Sequence, residues 1–111
     1  MRINEYQEAA MATLNPALDK KDVLINSVMG LCGESGEAID IVKKWLMQGH
    51  ELDKDYLIKE LGDVAWYLAE AATALDVPLE TVLQGNLDKL RQRFPNGFET
   101  EASVHRKEGD I

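Results

Sequence analysis

Hydrophobic positions recur along this chain every three or four residues and almost nowhere alternate one by one. Spacing of three and four keeps side chains on one face of an α-helix, whereas alternation marks a strand. The pattern predicts four helices and a tail. The first runs from Ile3 to Leu14, with Ile3, Tyr6, Ala10 and Leu14 on one stripe and Asn15-Pro16 as its stop. The second covers Lys21 to Gln48 and ends at Gly49-His50. Its stripe holds Leu24, Val28, Leu31, Ile41, Val42, Trp45 and Leu46. Asp53 is placed to cap the third, which continues to Leu75 with Tyr56, Leu57, Leu61, Val64, Leu68, Ala71 and Leu75 facing the core. Asp76-Val77-Pro78 breaks it. The fourth spans Leu79 to Phe94 and stops at Pro95-Asn96-Gly97. The expectation is an all-α, four-helix domain over residues 1–94, followed by a polar tail at 95–111.

The helices look apolar on more than one face. Ala69, Ala71, Ala72 and Ala74 are small enough for close helix contact. A chain of 111 residues buries only a modest core by itself. A homodimer or homotetramer is therefore expected.

Gly30, Gly33 and Gly36 interrupt the second helix, each costing about 1 kcal/mol against alanine in a helix interior. Two gains would offset this. Glycine lets a neighbouring helix approach, and it uncovers backbone for a ligand or a helix distortion. Gly62 in the third helix fits the close-approach reading. The competing reading is a break in the second helix near residue 33.

Charge narrows the function. Twenty acidic against 12 basic residues give a formal net charge of −8 and a pI near 4.7. A broad phosphate-neutralising surface for nucleic acid is thereby disfavoured. Cys32 is the only cysteine, so neither an intramolecular disulfide nor a cysteine zinc cluster can form, and a packing role is expected of it. No apolar run reaches the ~18–20 residues of a membrane span. Met1-Arg2-Ile3-Asn4-Glu5 lacks a signal peptide's apolar stretch, and a cytoplasmic location is expected.

Within the helical pattern lie Glu34-Ser-Gly-Glu37 and Glu60-Leu-Gly-Asp63. Positions i and i+3 share a helix face, so each pair aims two acids at one place. The 23 positions from Glu37 to Glu60 allow one helix to finish and an antiparallel neighbour to begin. Converging carboxylates repel by about 4 kcal/mol per close pair at an effective dielectric near 20. They are tolerated when solvated, protonated or bound to a cation. The acids sit among apolar and small residues, which puts a hard-cation site of oxygen ligands on a level with a solvated face. Mg²⁺ is the expected ion.

Asn86, Lys89 and Arg93 fall on one stripe of the fourth helix. From the pattern alone a solvated basic face near a helix C-terminus is the favoured reading, and a stripe that suits an anion bridged to a metal is the alternative. Neither His50 nor His105 follows a Glu by three, so the di-iron Glu-x-x-His pattern is absent. Trp45 and Trp66 lie on apolar stripes and read as core, with base stacking as the alternative.

Gly30-Leu31-Cys32-Gly33-Glu34-Ser35-Gly36-Glu37, Glu60-Leu61-Gly62-Asp63-Val64-Ala65-Trp66-Tyr67-Leu68 and Asn86-Leu87-Asp88-Lys89-Leu90-Arg91-Gln92-Arg93-Phe94 closely resemble MazG-like nucleotide pyrophosphohydrolases of the all-α NTP pyrophosphatase superfamily. The likeness covers residues 24 to 94 and implies a four-helix MazG-like bundle. It implies Mg²⁺, with Mn²⁺ as a substitute, held by Glu34, Glu37, Glu60 and Asp63. Lys89 and Arg93 would hold substrate phosphates, with Asn86 beside them. Many members carry consecutive glutamates in the first motif; here Cys32-Gly33 precede Glu34, so one auxiliary acid is absent. The implied reaction cleaves a nucleoside triphosphate between the α and β phosphates, with Glu37 or Glu34 helping to deprotonate water. The alternative from another class is a non-catalytic module that binds or senses a nucleotide.

Overall fold

A computed structural model describes residues 1–111. It contains five helices and no strand: α1 (Ile3–Met11), α2 (Lys20–Met47), α3 (Lys54–Ala74), α4 (Leu79–Arg93) and α5 (Thr100–Val104). Its contacts divide the chain into two units, Met1–Leu79 and Glu80–Ile111.

In the first unit, α2 and α3 form an antiparallel pair. Asn26 meets Glu70, Gly30 meets Tyr67 and Glu34 meets Glu60, so positions rising along one helix fall along the other. Both helices begin with an aspartate cap. Asp19 accepts the amide of Asp22 at 2.8 Å and Asp53 that of Tyr56 at 3.0 Å, each satisfying a donor that the first turn would leave unpaired. Helix α2 runs unbroken through its three glycines.

Helix α1 packs on the C-terminal half of α3. Ala10, Ala69, Ala72 and Leu79 make the buried cluster, flanked by Tyr6, Met11, Trp66, Leu68 and Val77. Gln7 ties the layers together: its amide donates to Thr73 Oγ1 at 3.1 Å and to the Val77 carbonyl at 3.2 Å, and its Oε1 accepts from the Leu79 amide at 2.7 Å. Asp76, at φ 58, turns the chain between α3 and α4 and pairs with Lys20.

The buried core is smaller than the apolar stripes suggest. Val28, Trp45, Leu46, Tyr56, Leu61 and Leu75 were expected inward and are exposed. A single antiparallel pair with one helix laid on it cannot cover stripes this wide. Cys32, expected to pack, is also exposed. Trp66 meets its expectation, half-buried with Nε1 donating to the Ala10 carbonyl and to Thr13 Oγ1.

The second unit contains α4 from Glu80, a turn in which Phe94 and Phe98 pack at 5.3 Å, and then α5. Helix α5 lies inside the expected tail and was not foreseen.

Candidate functional site

Three of the four acids come together. Carboxylate oxygens of Glu34 and Glu37 from α2 and Glu60 from α3 lie within 4.8 Å of one another. Asp63 is outside this group, although its charge bears on Glu60, Tyr6 and Tyr67. The three differ in surroundings: Glu60 is buried, Glu34 half-buried and Glu37 exposed. Glu34 Oε2 and Glu60 Oε2 are buried with no hydrogen-bond partner. Buried oxygens in that state carry an uncompensated desolvation cost.

The electrostatics follow. Glu60 is held above the ordinary carboxylate range, first by the Glu34 carboxyl beside it, which favours keeping a proton on Glu60. Burial and the charges of Glu34 and Asp63 push the same way, while Glu37 opposes them. The field spreads to nearby phenols. Tyr56 is raised by the charges of Glu60 and Glu37, and Tyr67 by burial and then by Glu34, Glu70 and Asp63. Both hydroxyls stay protonated and can donate. Oxygen-only donors, close spacing and two unpartnered buried oxygens fit a hard divalent cation.

The glycines of α2 separate into two kinds. A Cβ on Gly30 would lie 2.1 Å from the Tyr67 ring, so Gly30 is where α3 approaches closely. Gly33, Gly36 and Gly62 face open space, so close approach does not account for them. Gly33 and Gly36 instead line a hollow of about 620 Å³ with Glu37, Asp40, Lys44 and Tyr56.

One polar pair escaped the sequence reading. Glu70 is fully buried, and both of its oxygens accept from Asn26 Nδ2 at 3.0 Å. Its signal was available: Glu70 falls seven positions after Asp63 and Asn26 eight before Glu34, each continuing an acid stripe along its helix.

On α4, Lys89 and Arg93 are half-buried and engaged within the second unit, while Asn86 is exposed. Arg93 pairs with Asp110 and Lys89 donates to the main-chain oxygen of Ile111.

Residues 24–98 match the family model described as the MazG nucleotide pyrophosphohydrolase domain. The chain belongs to the MazG family. The match spans both acid motifs and the α4 stripe. The chain is also similar to the "Gene 37 protein" of Mycobacterium phage L5, at 42% identity over 105 residues, covering 87% of this chain and 92% of the phage protein. That name states no activity. No solved structure matches. Membership in the MazG family agrees with the all-α fold. No helix is long and apolar enough to cross a membrane.

Proposed function

We propose that this MazG-family chain is a Mg²⁺-dependent nucleoside triphosphate pyrophosphohydrolase, releasing a nucleoside monophosphate and pyrophosphate. The observation carrying the reading is the convergence of Glu34, Glu37 and Glu60 within 4.8 Å, with two buried oxygens unpartnered. An acidic face kept only for solubility would leave its oxygens in water.

In this reading Glu34, Glu37 and Glu60 would hold the ion, and Asp63, outside their group, is the fourth ligand that the family resemblance assigns. When bound, Mg²⁺ supplies positive charge against phosphate oxygens and acidifies water within its reach. Glu37, the most exposed of the three clustered acids, takes the proton from the attacking water, with Glu34 as the alternative base. The water oxygen bonds to the α-phosphorus, the bond from that phosphorus to the α–β bridging oxygen breaks, and pyrophosphate leaves with that oxygen. Lys89 and Arg93 bind the phosphates and stabilise the charge that builds on the leaving group, and Asn86 assists from the same stripe. Residues 1–94 serve as the catalytic domain and 95–111 as its tail.

The exposed apolar residues of α2 and α3, among them Met29 at 69% and Ile39 at 68%, support a homodimer or homotetramer. The setting is the cytoplasm, and the partners are nucleotides rather than nucleic acid or membrane.

The deciding experiment incubates the protein with Mg²⁺ and a panel of ordinary, deoxy- and oxidised nucleoside triphosphates. Release of pyrophosphate with a monophosphate is expected. Orthophosphate with a diphosphate would refute the bond assignment, and binding without turnover would identify a nucleotide-sensing module.

A further inference from the structure

The cations of α4 already hold an anion supplied by their own chain. Arg93 Nε and Nη2 donate to Asp110 Oδ2 and Oδ1 at 2.8 and 2.6 Å, the forked pairing that a phosphate also accepts from arginine. Their side chains are only 11% and 14% exposed. Lys89 Nζ donates to the Ile111 main-chain oxygen at 2.8 Å. Gly109, at φ 86, makes the turn that presents Asp110, whose amide donates to the Lys107 carbonyl at 3.0 Å. Hydrogen bonding from Arg93, then the charges of Arg93, Arg106 and Lys89, hold the Asp110 carboxyl below its ordinary range. Lys89, Arg93, His105, Arg106 and Lys107 line a hollow of about 540 Å³ around this pairing.

We propose that Lys89, Arg93 and Arg106 form a seat for a condensed phosphate, and that Asp110 is its built-in, displaceable occupant. The assignment of a phosphate to this stripe rests on the function proposed above; the displacement does not require turnover. Of the charged side chains lining the hollow, Lys89, Arg93, Arg106 and Lys107 are cationic and Glu99, Glu108 and Asp110 anionic, so release of Asp110 leaves the cations in excess. A pyrophosphate group carries more negative charge and more acceptor oxygens than Asp110, so it gains more from the same seat. The tether keeps Asp110 at a high effective concentration, which weak monoanions do not overcome. The tail therefore sets a threshold: condensed phosphates displace it, whereas orthophosphate and simple carboxylates do not. Arg106 becomes a binding residue contributed by the tail.

The test titrates inorganic pyrophosphate alone, without metal or nucleotide, into the full chain by calorimetry. Asp110→Asn keeps the shape and removes the charge. If Asp110 fills the seat nine-tenths of the time, pyrophosphate affinity should rise about tenfold in this variant, because the ligand no longer competes with the occupant. Orthophosphate should gain the same factor, because the occupant competes equally with any ligand of the seat, while staying much the weaker ligand in both proteins. Arg106→Ala should weaken pyrophosphate binding several-fold. In the unaltered chain, pyrophosphate should also shift the Gly109 and Asp110 amide resonances as the tail leaves. Unchanged affinity in Asp110→Asn, or pyrophosphate binding with these resonances unmoved, would overturn the proposal. If triphosphate hydrolysis is absent but Asp110→Asn binds more tightly, the catalytic reading fails and the seat stands. If hydrolysis is present and Asp110→Asn is unaltered, the seat alone fails.

Discussion

On α2 and α3, carboxylates from three residues meet, and two of their oxygens are buried without a partner. On α4, Lys89 and Arg93 meet oxygens from Ile111 and Asp110. The same chain thus leaves one charge cluster uncompensated and neutralises the other from within. An uncompensated cluster gains by capturing something from solution, and capture proceeds without displacement. A neutralised cluster must give up its resident before it takes a ligand, so it responds to strong competitors and ignores weak ones.

The largest expected effect lies on the uncompensated side. Glu37→Gln and Glu60→Gln should each lower Mg²⁺-dependent pyrophosphate release by roughly 10²-fold or more, since each replaces an anionic ligand with a neutral amide. Retained activity in both would break the contrast, because the acids would then be a solvated face. Lys89→Ala and Arg93→Ala should lower turnover by a smaller factor, about tenfold or more, with Mg²⁺ affinity, read by calorimetry, largely intact. Collapse of Mg²⁺ affinity with normal turnover at saturating metal would reverse the two assignments.

Stability sharpens the comparison further. Mg²⁺ that binds the folded site and not the unfolded chain should stabilise by about 2.7 kcal/mol at a hundredfold excess over Kd. A melting temperature indifferent to Mg²⁺ would contradict the site. The smallest effect is a difference between two proteins in EDTA. Glu60 in the fold is raised above its ordinary range by Glu34, burial and Asp63. The fold therefore holds that proton more tightly than the unfolded chain does, and stability is lost as pH rises through the raised value. Glu60→Gln has no such loss. Its melting temperature should exceed the unaltered protein's near neutrality, and the margin should close as pH falls below the ordinary carboxylate range. A margin independent of pH would place the repulsion elsewhere.

Helix type and approximate limits were legible because period and stop signals agreed. The predicted α2 and α3 boundaries lie within a residue of those observed, with Asp53 capping α3 as expected. Helix α1 ends at Met11 rather than Leu14, because the chain turns there and Thr13 Oγ1 bonds the Ala10 carbonyl and accepts from Trp66. The five-residue α5 carried no period to read. Two acid pairs at i, i+3 pointed to the Glu34, Glu37 and Glu60 group, but periodicity alone did not separate Asp63 from it. Stripe patterns also overstated burial, since they report which residues share a face and not whether that face is covered. Asp110 had no local signal: its partner lies 17 positions away in irregular chain.

The contact of Gly30 with Tyr67 bears on how this sequence can drift. A methyl group on Gly30 would fall inside the Tyr67 ring, 2.1 Å from its Cε1, so neither position is free to vary by itself. Substitution at residue 30 becomes acceptable only after the ring at 67 has shrunk or swung away. A smaller residue at 67 opens a void until residue 30 grows to fill it. The two positions are locked in order as well as identity, and a library randomising both together should recover compensated pairs that stepwise mutation would miss.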